Sequence, residues 1–166
     1  DNKKFINDII NIQTYLTLNH WVTLGVKPTK PSDAYGYIKV SKSNNVNDLL
    51  KVTDFIEKPS KKIATEFIKD NSYFWNAGIF LGQSSMILNS IKKYAPNIAI
   101  HCDNAFNNRE VTQKTNEVNF CPNLFSKIPS QSIDYSVMEY EKKILLYPIM
   151  GKWSDVGSWD AIADIY

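Results

Sequence analysis

Arginine is almost missing from this sequence of 166 residues: Arg109 stands alone among 19 basic side chains. A chain built to grip several phosphates bidentately carries more, because only arginine offers a planar donor fork. Glycine is also sparse. The six glycines, at positions 25, 36, 78, 82, 151 and 157, match no phosphate-cradling loop. His20 and His101 have no nucleophile or ligand cluster beside them, so structural roles are expected, and no Ser-His-Asp or Cys-His set is recognisable. Cys102 and Cys121 are too far apart for a redox pair and lack the histidine company of a zinc site, which leaves reduced, structural thiols. No apolar run approaches membrane-spanning length, and Asp1-Asn2-Lys3-Lys4-Phe5 lacks the core of a signal peptide. A cytoplasmic protein with no membrane partner is therefore expected. The formal net charge of +2 gives no nucleic-acid footprint.

What remains is ordinary globular material, 43% hydrophobic and 22% charged, enough for one domain with a substantial core. Phe5, Ile6, Ile9, Ile10, Ile12 and Leu16 recur at helical spacing and predict a helix over residues 3–18, capped by Asp1 or Asn2. Strands are expected at 21–26, 37–40, 50–57, 77–81 and 144–147. A turn is expected over Asn44–Asp48, and helices at 61–70 behind a Ser60 cap, at 84–94, near 98–106 and from Trp159. Alternating strands and helices indicate an α/β protein. Ile79-Phe80-Leu81 reads as a strand buried on both faces of a parallel sheet. Residues 97–128 otherwise read as a polar loop, and no domain boundary stands out.

Four stretches combine glycine or an aromatic ring with a polar group at a strand end. In Tyr35-Gly36-Tyr37, a glycine between two rings allows a ligand close to the backbone, although turn geometry alone explains it as well. In Phe55-Ile56-Glu57-Lys58-Pro59, a bend before proline would turn a carboxylate suited to paired hydroxyls and an ammonium suited to phosphate towards one cavity. The plainer alternative is a solvated ion pair. In Phe74-Trp75-Asn76-Ala77-Gly78, an amide beside an aromatic wall suits a carbohydrate, and an Asx turn entering a core strand fits equally. In Trp153-Ser154-Asp155-Val156-Gly157-Ser158-Trp159, the aspartate beside a tight turn suits a hard cation completed by substrate phosphates, against a helix start capped by Asp155 or Ser158.

Taken in order, Tyr35–Ile38, Phe55–Pro59, Trp75–Phe80, Ser132-Ile133-Asp134-Tyr135 through Glu139, and Trp153–Trp159 closely resemble the bacterial mannose-1-phosphate guanylyltransferases. Gly25-Val26-Lys27-Pro28-Thr29 fits the same pattern, while Ala77, Ile79 and Ser136 replace the family's usual Ser, Met and Ala without removing a proposed ligand. The resemblance implies a Rossmann-like, GT-A-like domain whose mixed sheet is flanked by helices. It implies that Tyr35, Gly36, Glu57, Lys58, Asn76 and Asp134 form the sugar-phosphate site. Glu57 and Asn76 would hold hydroxyls, Lys58 would face the phosphate, and Asp155 would share Mg²⁺ with an upstream aspartate. Lys58 and Asp155 would be the groups that act on the reacting phosphates.

The implied substrates are mannose 1-phosphate and GTP, giving GDP-mannose and pyrophosphate. The implied partner is a further copy or an N-terminal half. The family's glycine-rich nucleotide loop would lie upstream of residue 1, making residues 1–166 the C-terminal, sugar-binding portion of the domain, with apolar surface left bare and weak turnover alone. A nucleotidyltransferase for another sugar 1-phosphate, and a non-catalytic sugar-phosphate-binding remnant, are the alternatives.

Overall fold

The computed structural model describes residues 2–16, 19–41, 49–112, 115–150, 153–157 and 159–163. They fall into two compact units, residues 1–83 with 142–166, and residues 84–141. That division corrects the expectation of an undivided chain. Its cause is an insertion of helices between two strands that belong to the same sheet, a long-range relation that leaves no composition break.

The first unit is built on five strands: β1 (Trp21–Val26), β2 (Tyr37–Val40), β3 (Leu50–Ile56), β4 (Tyr73–Leu81) and β7 (Ile144–Pro148). They close on themselves in the order β1-β4-β2-β3-β7. Among the described residues β1 and β7 run parallel, and the other pairings are antiparallel. The sheet is thus mixed, as expected, but Ile79, Phe80 and Leu81 are half-buried and antiparallel to β1 rather than buried in a parallel sheet.

Helices pack on this barrel, two of them through buried clusters, and a further one spans Trp159–Ala163, starting where expected. Helix α1 (Asn2–Gln13) sends Ile12 into a cluster with Val22, Leu24, Leu49 and Leu145. Its apolar stripe is wider than the surface it covers, and Phe5, Ile6 and Ile10 stay exposed. The helix ends five residues before the predicted stop. Thr14 Oγ1 donates to the Asn11 carbonyl oxygen, a local bond that competes with a further helical turn. Asn2 is the first helical residue, while Asp1, the other expected cap, and the Asn44–Asp48 turn lie outside the described residues. Helix α2 (Lys61–Phe67) starts where Ser60 Oγ accepts the Ile63 amide and buries Ala64 against Val26, Tyr37, Tyr73 and Trp75.

The second unit contains α3 (Ser84–Tyr94), α4 (Pro96–Asn107), a hairpin of β5 (Glu110–Thr112) and β6 (Glu117–Asn119), α5 (Pro122–Phe125) and a π-helical turn over Asp134–Met138. The stretch expected as a polar loop is therefore a hairpin and a short helix. Its strands are three residues each and wholly exposed, so no alternation marks them. Cys102 and Cys121 are free, as expected, but exposed, which removes the structural role assigned to them. Ser90 Oγ donates to Glu141 at 2.6 Å, and Tyr94 stacks on Tyr140.

Gly25 lies in β1 opposite Asn76 of β4 and Pro148 of β7. A β-carbon added there would stand 2.5 Å from Leu146 Cδ1 and 2.9 Å from its Cγ, in a wall that is fully buried. Gly25→Ala is expected to lower stability by about 1–3 kcal/mol through overpacking. Leu146→Val in the same chain should recover part of that loss, read as a non-additive shift in the denaturant midpoint.

Candidate functional site

Register across the barrel brings three of the sequence stretches together. Gly25 faces Asn76, Trp75 faces Tyr37, and Tyr37 faces Ile56. The residues at the same level, Gly36 before β2, Asn76 within β4 and Glu57 after β3, therefore meet. The Asn76 amide donates to the Gly36 carbonyl oxygen at 2.8 Å. A β-carbon on Gly36 would lie 2.3 Å from Glu57 Oε2 and 3.2 Å from Asn76 Cβ. The group that the missing β-carbon at Gly36 admits is the protein's own Glu57 carboxylate, whereas the sequence suggested a ligand there. That Oε2 atom is shut off from solvent.

Asn76 has a second task. The register between β1 and β4 jumps between Thr23 and Gly25, a bulge that holds Gly78 at φ +69°. Asn76 Oδ1 accepts the Gly78 amide at 3.0 Å and lies 3.5 Å from Thr23 Oγ1. The carbonyl end of this amide is thus held by the protein, so the Asx-turn alternative is realised inside the strand. A lone glycine in a strand pattern is itself a bulge signal.

Lys58 follows Glu57 with its side chain exposed and its backbone left-handed at φ 46°. That conformation is costly for any side-chain-bearing residue and doubly unusual before proline. The bend expected at Pro59 is therefore real, and it is made at Lys58. The ordinary alternation of strand side chains ends there.

The Trp153 segment reaches the barrel through aromatic rings. Trp75 and Tyr35 meet edge to face at 5.0 Å, and Tyr35 and Trp153 at 5.4 Å. Beyond Trp153 the bonds are local: Val156 N–H donates to Ser154 Oγ, and Gly157 N–H to Asp155 Oδ1 at 3.2 Å. Asp155 is exposed, and a β-carbon on Gly157 would sit 2.7 Å from its Oδ2. Val156 is left-handed at φ 55°, an outlier for a β-branched residue. Ser158, the alternative cap, lies outside the described residues.

Asp134 belongs to the second unit, half-buried at the start of the π-helical turn, where its carbonyl oxygen accepts the Glu139 amide. Among the described residues no three His, Cys, Asp or Glu side chains gather as a metal cage. A magnesium ion needs no such cage, since one or two carboxylates, water and substrate phosphates complete its shell. The exposed Asp155 carboxylate fits as one such ligand.

Cavities among the described residues lie elsewhere. One of about 460 Å³ in the second unit is lined by Phe125, Ile128, Pro129 and the Ser130-Gln131-Ser132 run. Another, about 340 Å³ in the first unit, has Lys27, Ser72 and Phe74 in its wall. The Lys27 ammonium sits 3.8 Å from the Phe74 ring centroid and donates to the Asn71 carbonyl oxygen. Burial lowers its pKa from the ordinary lysine value, partly offset by Asp70.

Gly36→Ala should cost about 1–3 kcal/mol by driving a β-carbon into the Glu57 carboxylate. Glu57→Ala added to it should cancel most of that cost, and additive losses in urea melts would contradict the contact. Lys58→Gly should act in the opposite sense. Relief of a left-handed residue, less the chain entropy that glycine adds, should raise stability by up to about 1 kcal/mol in the same melts.

The chain matches the model of the nucleotidyl transferase family over residues 8–166. It is 33% identical over 165 residues to a mannose-1-phosphate guanylyltransferase of Salmonella muenchen, covering 99% of this chain and 34% of that protein. It is 38% identical over 142 residues to the alginate biosynthesis protein AlgA of Pseudomonas fluorescens, covering 85% of this chain and 29% of that one. A crystal structure described as mannose-6-phosphate isomerase from Helicobacter pylori superposes with a TM-score of 0.82 at 31% identity, over 92% of this chain and 59% of its own. The chain spans about a third of the length of the curated relatives it matches. Among the described residues no helix is long and apolar enough to cross a membrane. With the match running from the first helix to the last residue, the chain belongs to the nucleotidyl transferase family.

Proposed function

We propose that this chain supplies the sugar-1-phosphate side of a mannose-1-phosphate guanylyltransferase, which joins mannose 1-phosphate to GTP with release of pyrophosphate. The observation that carries the reading is the meeting of Gly36, Glu57 and Asn76 from three separate stretches of sequence. The guanylyltransferase named among the relatives and the polysaccharide role in the name of another agree with it. Activity on GTP in the cytoplasm, feeding polysaccharide assembly, belongs to the same proposal.

Each group has a task in that reaction. With Oε2 of Glu57 turned in against Gly36, its other carboxylate oxygen accepts from a sugar hydroxyl. The Asn76 side chain holds the bulge and the floor of the site, and the Tyr35 ring beside Gly36 forms an apolar wall. The exposed Lys58 ammonium faces the sugar phosphate as a point charge. Asp155 is one ligand to Mg²⁺, which when bound offsets charge on phosphate oxygens. The attacking group is a phosphate oxygen already anionic at neutral pH, so no histidine base is needed. Rate enhancement comes from positioning and charge neutralisation.

Calorimetric titration of the chain with mannose 1-phosphate tests this. Binding should exceed that of free mannose, and Glu57→Gln should weaken it about tenfold or more, the loss of one charge-assisted hydrogen bond. Equal affinity for glucose 1-phosphate would move the assignment to another sugar, and no saturable binding of either would refute a sugar-phosphate site.

A further inference from the structure

The segment that carries Asp155 has no regular secondary structure, and among the described residues the hydrogen bonds of Ser154–Gly157 stay within the segment. Its packing on the barrel runs through the Trp153 ring. That ring is half-buried against the cluster containing Val26, Tyr37 and Trp75, whereas Trp159, the second tryptophan of the same motif, is 85% exposed. Trp153 meets Tyr35, and Tyr35 meets Trp75, both edge to face. Each inner ring adjoins a site residue in sequence: Tyr35 precedes Gly36, and Trp75 precedes Asn76.

The geometry points to Trp153 as a positioning residue. Acting through Tyr35, it sets where the Asp155 carboxylate stands relative to Gly36, Glu57 and Asn76. The inference rests on the reading of Asp155 as a metal ligand. Two rings in edge-to-face contact resist sliding because the positive edge of one is held over the negative face of the other, with about 0.5–1.5 kcal/mol per pair beyond burial. A short segment pinned at one such point carries its carboxylate only two residues away. The left-handed Val156 and the Asp155–Gly157 bond then aim that carboxylate locally. Tyr35 thereby serves two ends, as the wall of the sugar site and as the seat of the metal-bearing segment.

Water proton relaxation with Mn²⁺ as the probe, in saturating mannose 1-phosphate, tests the inference on this chain without relying on turnover. Asp155→Asn should abolish the Mn²⁺ site. Trp153→Leu should weaken it about tenfold, Trp153→Phe should restore it to within about threefold, and Tyr35→Leu should match Trp153→Leu. The double Leu variant should be no worse than either single one, because the two rings act in series. Hydrogen exchange at the Val156 and Gly157 amides should accelerate in Trp153→Leu by a larger factor than at the barrel amides. Wild-type Mn²⁺ affinity in Trp153→Leu, with Asp155→Asn still defective, would overturn the positioning role and leave the metal ligand standing. An undiminished site in Asp155→Asn, or no Mn²⁺ binding by the wild-type chain, would overturn both.

Discussion

One backbone hydrogen bond, from the Asn76 amide to the Gly36 carbonyl oxygen, ties the middle of β4 to the entry of β2, and the candidate site depends on it. Beside that bond the Glu57 carboxylate, at the end of β3, lies across the α-carbon of Gly36. Any side chain at position 36 would occupy that space. The constraint is steric before it is electrostatic. A glycine has been exchanged for a buried carboxylate oxygen, and the rest of the site is arranged around that exchange.

The barrel makes the bond reproducible. Five strands closed in the order β1-β4-β2-β3-β7 leave little freedom for register to slip, since a shift in one pairing would have to propagate round the ring. The parallel contact of β1 with β7 joins strands separated in sequence by the whole of the second unit. Strain is located where polar groups are presented, at Lys58 before Pro59 and at Val156 beside Asp155. Such conformations persist only where surrounding contacts over-determine them, here the buried Pro59 and the packed ring of Trp153.

Asn76 realises the Asx-turn reading within β4. It makes an Asx-type bond to Gly78, which stabilises a bulge, and it also stands in the site beside Gly36. The bulge lets β4 change its register with β1 without losing contact with β2. The amide therefore supports the local geometry of the site whatever else it binds.

Local physical chemistry was enough to read much of this from the residue order. Helical spacing indicated α1, Ser60 the start of α2, runs bounded by turn residues β1 and β2, and the glycine-aromatic stretches marked Tyr35-Gly36, Glu57-Lys58, Asn76 and Asp155 as candidates. The Trp153 motif was legible as a candidate metal-bearing turn, but not as an aromatic file reaching Trp75. Closure of the barrel, the division into two units, the exposed β5–β6 hairpin and the π-helical turn were decided by tertiary structure alone. The reason is range. Periodicity, capping and turn chemistry act over a few residues, whereas the contact of Gly36 with Glu57 and Asn76, and of Tyr35 with Trp153, depends on strand register between segments 20 to 120 positions apart, for which a single sequence carries no local signal.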